Sequence, residues 1–351
     1  MPSHQDPLFR EIIAVEEELN RFRSTVGNLQ DHVPLLRLNP FSGTSARARD
    51  MRRRRDAYMR KLNEDFAEKI KKGIEKPCIQ ANVARDAEAK LNEVELRAIS
   101  LSILGGGFET VSNTVHWTMS YLAGRPEIQD RAFNAIREFQ GHSPEDDDGD
   151  DDQLCDAADD LKCAYVAGLA KEALRYFTVI PLALPRKSIR DMGYDGKLVP
   201  ANTTAYLNAW ACNHGKWAFV LSINLDTVAN LPVSFKLDGE LWSDPDVFRP
   251  ERWIENPDAT VFTFGLGYRM CSAHILATRE LYLIFMRMLR TFRIETPPGA
   301  DPAMHRSDPC ADMKNPRDLI MVTKPYSVLC IPRNEEALKR ALEAAAEADV
   351  E

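Results

Sequence analysis

The alternation of apolar and polar residues divides the chain into long helical stretches and short, turn-bounded ones. Residues 1–75 read as helical and highly charged: Leu8 to Phe22 mixes acidic and apolar residues in helical order, and Arg47 to Lys72 reads as a long basic helix. Between them His32 to Phe41, with Pro34 and Pro40, reads as a connector. Glu75 to Asn92 reads as irregular and ends in a helix start signal, because Asn92 and Glu95 have the spacing of a capping box. The helix from Glu93 to about Leu122 is too long and too apolar for a surface helix. Arg125–Gln140 and Leu161–Phe177 read as further helices, Gly196–Pro200 and Thr203–Trp210 as short strands. Helical spacing returns at Leu276, Ala277, Leu281, Ile284, Phe285 and Met288. Gly299 to Pro332 is proline-rich and irregular, closing with a strand at Tyr326–Ile331, and the tail after Glu335 reads as an Ala/Glu/Lys helix.

Composition narrows this picture. With 351 residues, 44% of them hydrophobic, the chain can bury one large core or two small ones. A net charge of −8 gives no reason to expect a nucleic-acid partner. The seven cysteines are scattered without a C-x-x-C pair, which suits a reducing compartment rather than a disulfide framework. There is no signal-peptide pattern and no apolar run approaching the roughly 18 residues of a membrane helix. Arg52 to Arg55 read either as a solvated helix face or as a patch for a membrane surface or partner. The acidic run within 143–153 reads as a surface loop, with metal binding as the other reading, for which nothing fixes a geometry.

The chemistry is concentrated in Phe262 to Glu280, F-T-F-G-L-G-Y-R-M-C-S-A-H-I-L-A-T-R-E. Gly265 and Gly267 allow a tight loop, and Cys271 falls between that loop and a helix N-terminus, where the helix end and a nearby cation favour an anionic sulfur. A lone Cys beside glycines is usually a small buried hydrophobe. The spacing F-G-x-G-x-R-x-C-x-A followed by L-A-x-x-E, however, resembles the haem-binding signature of the cytochrome P450 monooxygenases. The resemblance implies that Cys271 is the thiolate ligand of the haem iron, that Arg269 pairs with a haem propionate, and that Phe264 and Gly265 line the cofactor. Ala273 stands where the family usually has Gly.

Three further motifs follow the family in order. Gly105-Gly106-Gly107-Phe108-Glu109-Thr110 places three glycines inside a helix, which read alone mark either a helix break or a close approach to the backbone. The segment resembles the family's oxygen-activating G-x-E/D-T: Thr110 would stabilise bound dioxygen, Glu109 would relay protons to it, and Gly106 would face substrate. Glu172 and Arg175, three apart on one helix face, are a weak signal alone but resemble the family's E-x-x-R pair. Arg252, in F-R-P-E-R-W, would complete that structural triad. Pro181 to Arg186 resembles the segment lining the substrate pocket through Leu182, Ala183 and Leu184 and ending in a propionate-binding Arg186. A turn at Leu319 and Ile320 would also reach substrate.

The implied fold is the mostly α fold, with a small β region, of the cytochrome P450 family, incomplete at the N-terminus, over residues 1–333, with 334–351 a charged helical tail. The implied cofactor is haem b, with electrons from NADPH through a cytochrome P450 reductase. The implied reaction inserts one oxygen atom of O2 into a C–H bond of a small organic substrate. V-P-L-L-R at 33–37, K-P-C-I at 76–79 and A-K-L-N at 89–92 resemble fungal phenylacetate-type hydroxylases, which suggests ring hydroxylation of a small aromatic acid. Oxidation of a secondary metabolite, a reductase-independent haem-thiolate rearrangement and a non-catalytic fragment of a damaged gene stay open beside it. The implied location is the cytoplasm or the cytosolic face of the endoplasmic reticulum, with peripheral membrane contact, the family's anchor helix being absent from this chain.

One segment departs from the family pattern. After Trp210-Ala211-Cys212-Asn213-His214, where the family runs on through H-D, the chain carries an apolar stretch to Leu237. It is too apolar for a surface loop. Residues 215–237 are therefore expected to be a retained intron, poorly packed in the folded chain.

Overall fold

The computed structural model describes residues 5–24, 33–38, 43–76, 78–86, 88, 90–142, 155, 157–194, 196–215, 218–221, 232–235, 242–301, 305 and 307–348. The acidic run at 146–152 and most of the 215–237 segment lie outside the described residues. The chain forms two compact units: Met1–Thr110 with Arg317–Ile320, and Val111–Pro316 with Met321–Glu351.

The first unit is built from helices. α1 (Pro7–Arg23) starts at Asp6, whose carboxylate accepts the amides of Leu8 and Phe9 at 2.7 and 3.3 Å, with Pro7 in the first turn, where its missing amide is no loss. α2 (Thr44–Lys72) ends at Gly73, whose φ of 66° few other residues adopt. Ile12 and Val15 of α1 pack against Tyr58 and Met59 of α2, with Leu101 and Leu104 of α4 (Glu93–Ala123) closing the cluster. The arginine run of α2 is only partly a solvated face. Arg54 makes a two-pronged pair with Glu11 at 2.6 and 2.8 Å, while the Arg53 side chain is 81% exposed.

The stretch expected to be irregular holds a helix, α3 (Ile79–Arg85). Its start is capped by the sulfur of Cys78, which accepts the Ala81 amide at 3.4 Å, a weak cap that helix-start rules do not anticipate. α4 (Glu93–Ala123) begins with the expected reciprocal box: Glu95 accepts the Asn92 amide at 2.8 Å and Asn92 accepts the Glu95 amide at 3.0 Å. The division between the units falls within α4.

The second unit is organised around α6 (Ala164–Phe177) and α9 (His274–Thr291), with α5 (Pro126–Phe139) beside them. Leu169, Phe177, Leu281, Phe285, Met286 and Leu289 are buried there. Trp117 stacks on Phe177 with ring centres 5.6 Å apart and donates to the Met321 carbonyl at 2.7 Å. Among the described residues the strands form four antiparallel pairs, with one isolated bridge between Met313 and Thr323. β1 (Arg186–Lys187) pairs with β4 (Thr204–Ala205), and β2 (Met192–Tyr194) with β3 (Lys197–Val199). β5 (Ala218–Leu221) pairs with β6 (Pro232–Phe235), and β7 (Phe292–Glu295) with β8 (Leu329–Pro332). The strand expected over Thr203–Trp210 stops at Ala205. Asn208 caps the short α7 (Ala209–Asn213) by accepting the Ala211 amide at 2.9 Å. α8 (Arg252–Glu255) follows the F-R-P-E-R sequence, and α10 (Glu335–Ala348) is the expected tail helix. Among the described residues no helix is long and apolar enough to cross a membrane.

Candidate functional site

In the second unit the Cys271 loop is defined by its backbone. Two short 3-10 turns, Phe262–Phe264 and Gly267–Arg269, flank glycines with φ of 79° at Gly265 and 64° at Gly267. Such angles are open to glycine at little cost. The Cys271 amide donates to the Phe264 carbonyl at 2.8 Å, which fixes the cysteine before α9 starts at His274. His274 turns a ring nitrogen to the Cys271 carbonyl at 3.0 Å. Cys271 is exposed, whereas Cys155, Cys163 and Cys212 are buried, and burial pushes the Cys155 and Cys212 thiols up to about 11. Of the other exposed cysteines, Cys78 caps α3, Cys330 lies within β8, and Cys310 sits in a turn where its amide donates to Asp308 at 2.8 Å.

The loop is held from behind by Asn213, a residue that the sequence reading did not single out. Its side chain is fully buried. It accepts the Phe262 amide at 2.8 Å and donates to the hydroxyls of Thr178 and Thr263, both at 2.9 Å. Thr263 donates in turn to the Leu174 carbonyl of α6 at 2.6 Å.

Behind Asn213 the structure brings Glu172, Arg175 and Arg252 together. Arg175 reaches both Glu172 oxygens, at 2.8 and 2.9 Å, and Arg252 donates to Glu172 at 3.1 Å. Trp253 and the Arg249 amide complete the carboxylate's shell at 2.9 and 2.8 Å. The guanidinium of Arg175 also donates to the carbonyls of Asn213 and Pro245, both at 2.9 Å, and Arg252 to those of Ser243 and Val247, both at 2.8 Å. Glu172 and Arg175 are fully buried and Arg252 is nearly so. Burial holds the Arg252 guanidinium below its usual range, against the pull of Glu172. One carboxylate thus ties α6 to the 243–253 segment, and Arg175 ties both to the residue that holds the cysteine loop.

Arg186 and Arg269 are exposed, and Arg186 donates to the Arg269 carbonyl at 3.2 Å. Ala183 has a φ of 49°, an unusual value for a residue with a side chain, and flanks Leu182 and Leu184, which are 42% and 37% exposed. Leu266, Tyr268, Met270, Ile275 and Leu276 are likewise exposed around the cysteine. An accessible sulfur at a helix start, surrounded by uncovered apolar side chains and two cations, fits a flat, largely apolar, dianionic ligand bound through its metal. The residues present therefore fit haem. Phe264 is half-buried, its ring 6.1 Å from that of His274.

In the first unit, α4 carries Gly106, Glu109 and Thr110. No atom lies within 4 Å of where a Cβ would stand on Gly106 or Gly107, so the backbone there is open to approach. The Thr110 hydroxyl donates to the Gly106 carbonyl at 2.7 Å, one turn back. Burial pushes the Glu109 carboxyl up to about 7, helped by the negative charges of Glu16, Glu17 and Asp318. In the same unit Leu319 is half-buried and Ile320 buried, the Ile320 amide donating to Asn20 at 2.9 Å.

The family profile described as Cytochrome P450 matches residues 1–219 and 226–329. The chain belongs to the cytochrome P450 family. Within it, the chain is 50% identical over 340 residues to a 3-hydroxyphenylacetate 6-hydroxylase of Emericella nidulans, covering 97% of this chain and 59% of that protein. It is 33% identical to a cytochrome P450 monooxygenase of Mycosarcoma maydis and 32% identical to a phenylacetate 2-hydroxylase of Emericella nidulans, in each case over 346 residues. These matches take in 95% of this chain, and 57% and 59% of the two relatives. The chain thus spans about three fifths of the length of the curated P450 relatives it matches.

Proposed function

We propose that this chain provides the cysteine loop and the oxygen-side helix of a haem-thiolate monooxygenase that hydroxylates the ring of a small phenylacetate-like acid. The observation that carries the reading is Cys271, accessible at the end of a glycine loop that Asn213 and Phe264 fix in place. Cys271 Sγ would hold the haem iron, Arg186 and Arg269 would pair with the haem's carboxylates, and Phe264 and Gly265 would support it. When bound in this way, haem supplies the redox chemistry that splits O2 at a carbon–hydrogen bond. The overall balance is one C–H, one O2, one NADPH and one proton giving one C–OH, one water and NADP+. A cytochrome P450 reductase is the electron donor, at the cytosolic face of the endoplasmic reticulum. This chain's own residues handle protons. Glu109 holds one at its carboxyl near neutral pH, and Thr110 Oγ1 is the hydroxyl through which it is passed. Gly106, Leu182, Ala183, Leu184, Leu319 and Ile320 are the residues assigned to substrate.

The substrate reading rests on two of the relatives, the 3-hydroxyphenylacetate 6-hydroxylase and the phenylacetate 2-hydroxylase of Emericella nidulans. Oxidation of a larger secondary metabolite is the competing reading. The reductase-independent rearrangement is disfavoured by the Glu109–Thr110 pair, which such chemistry does not need. The ligand assignment is tested by loading with haem, reducing, adding carbon monoxide and recording the Soret band. A thiolate-type band is expected in the wild type and its loss in Cys271→Ala; a band that persists overturns the assignment. The substrate is tested by titrating phenylacetate and 3-hydroxyphenylacetate into a full-length enzyme. A low-to-high-spin shift supports the proposal, and no shift beside a clear one with a polycyclic or terpenoid compound overturns it.

A further inference from the structure

Glu16 is an unexpected neighbour for a helix that is to deliver protons. It lies mid-way along α1 and is only 7% exposed. One of its oxygens accepts the hydroxyl of Tyr58 at 2.7 Å, and Tyr58 is itself 3% exposed on α2. The other oxygen lies 3.4 Å from where a Cβ would stand on Gly105. The carboxylate is therefore pinned from one side by a tyrosine and rests on the other against the bare backbone of α4. Glu109 follows Gly105 by four residues, one turn on and on the same face.

We propose that Glu16, locked by Tyr58, is a positioning residue for the Glu109 proton: Glu16 carries the negative charge of the pair and Glu109 carries the proton. The inference rests on the reading of Glu109 as a proton donor and adds what makes it one. The hydrogen bond from Tyr58 fixes one Glu16 oxygen as an acceptor, and the charge of Glu16 acts on Glu109 from that fixed position. A buried Glu16 and a half-buried Glu109 against one helix face do not both ionise cheaply. The remaining charges facing Glu109 act in the same direction, Glu17 from α1 and Asp318 from the returning segment. Of the cations nearby, Arg54 is paired with Glu11 and Glu18 and Arg21 with Asp318 at 4.0 Å, while Arg55 faces Tyr58 and pulls its hydroxyl down against the larger effects of burial and Glu16. Burial, then the hydrogen bond to Glu16, holds the Tyr58 hydroxyl well above its usual range, so it stays a donor throughout the neutral region. The acid–alcohol helix thus has a second carboxylate built in behind it, from a helix more than eighty residues earlier in the chain.

Infrared difference spectroscopy on the full chain, stepped through pH, tests this without turnover. The carboxyl band of Glu109, assigned by its loss in Glu109→Gln, should titrate near 7 in the wild type. In Glu16→Gln, whose amide oxygen still accepts the Tyr58 hydroxyl and keeps the packing, the midpoint should fall by about one pH unit or more. Glu16→Asp retracts the charge and should give an intermediate value, and Glu17→Gln should move the midpoint less than Glu16→Gln does. A Glu16→Gln midpoint equal to wild type, or no lower than that of Glu17→Gln, overturns the proposal. Failure of the underlying reading looks different. If the midpoint falls in Glu16→Gln while Glu109→Gln leaves the coupling of NADPH to product intact, the carboxyl pair stands and its use in catalysis does not.

Discussion

Glu172 is the side chain on which the scaffold behind the cysteine loop converges. It accepts from two guanidiniums, an indole and a backbone amide, and has no solvent to replace any of them. Glu172→Ala leaves Arg175 and Arg252 buried without a counter-charge, and a loss of about 3–5 kcal/mol in unfolding free energy is expected by denaturant titration. A loss under about 1 kcal/mol would mean the network is not cooperative. Glu109 gives a prediction in pH. Its folded value, about 7, lies above the usual carboxyl value of 4.5. The folded chain therefore binds a proton that the unfolded chain has already released between those values. Stability from this group is present below the lower value, falls as pH rises through the window and is flat above about 7. Glu109→Gln should remove that slope and raise the denaturant midpoint at neutral pH; an unchanged profile would show that Glu109 is not held protonated. Cys271, Glu172, Arg175 and Arg252 were legible in the sequence because each stands in a fixed short spacing. Asn213 and Thr263 were not, because their work is done on carbonyls and amides that only the tertiary structure brings near.

The long helices were legible from period and caps, and the short ones were not. α3 and α7 are too brief for a periodic signal, and they start at single side-chain caps, Cys78 and Asn208, inside stretches with other readings. Packing distance was equally hidden. A Cβ on Gly168 would stand 2.7 Å from the Pro250 carbonyl oxygen and 3.6 Å from the Trp253 Cβ, so α6 meets the 250–253 turn only because residue 168 has no side chain. Gly168→Ala should therefore cost about 1–3 kcal/mol despite the better helix propensity of alanine, read as a lowered melting midpoint. The glycines of α4 should behave in the opposite way. With nothing within 4 Å of Gly106 or Gly107, alanine at either has room and should stabilise the helix by roughly 1 kcal/mol. If those glycines are kept for close approach of a bound group, the same variants should lose haem or substrate affinity while melting higher. Variants that melt higher and bind unchanged would assign the glycines to no such role.

The family profile matches the chain along almost its full length, and the internal gap in that match, residues 220–225, lies inside the segment expected to be a retained intron. The described parts of that segment, β5 and β6, pair with each other in a hairpin. The described residues on either side of it come close: a Cβ on Gly215 would stand 3.9 Å from the Trp242 amide nitrogen. The chain thus leaves and re-enters the fold at nearly one point, as an insertion does. Gly215-Lys216-Trp217 can be written GGTAAGTGG, with a splice donor after its first base, and Leu237-Asp238 can be written TTAGAT, with an acceptor AG. Ala229-Asn230 can supply the branch-point-like GCTAAC between them. Excision removes 23 codons, from within 215 to within 238, keeps the frame and joins G to AT. The junction codon is Asp, so the product reads N-H-D-G-E-L-W-S-D-P and regains the H-D of the family pattern. The spliced form should retain the Arg175 contacts to Asn213 and Pro245, since both carbonyls lie outside the excised codons. A chain lacking the segment is therefore expected to melt no lower than the full chain, and mature transcripts should lack those bases. Transcripts that all retain the segment, or a genomic sequence without these splice words, would show instead that the hairpin belongs to the protein.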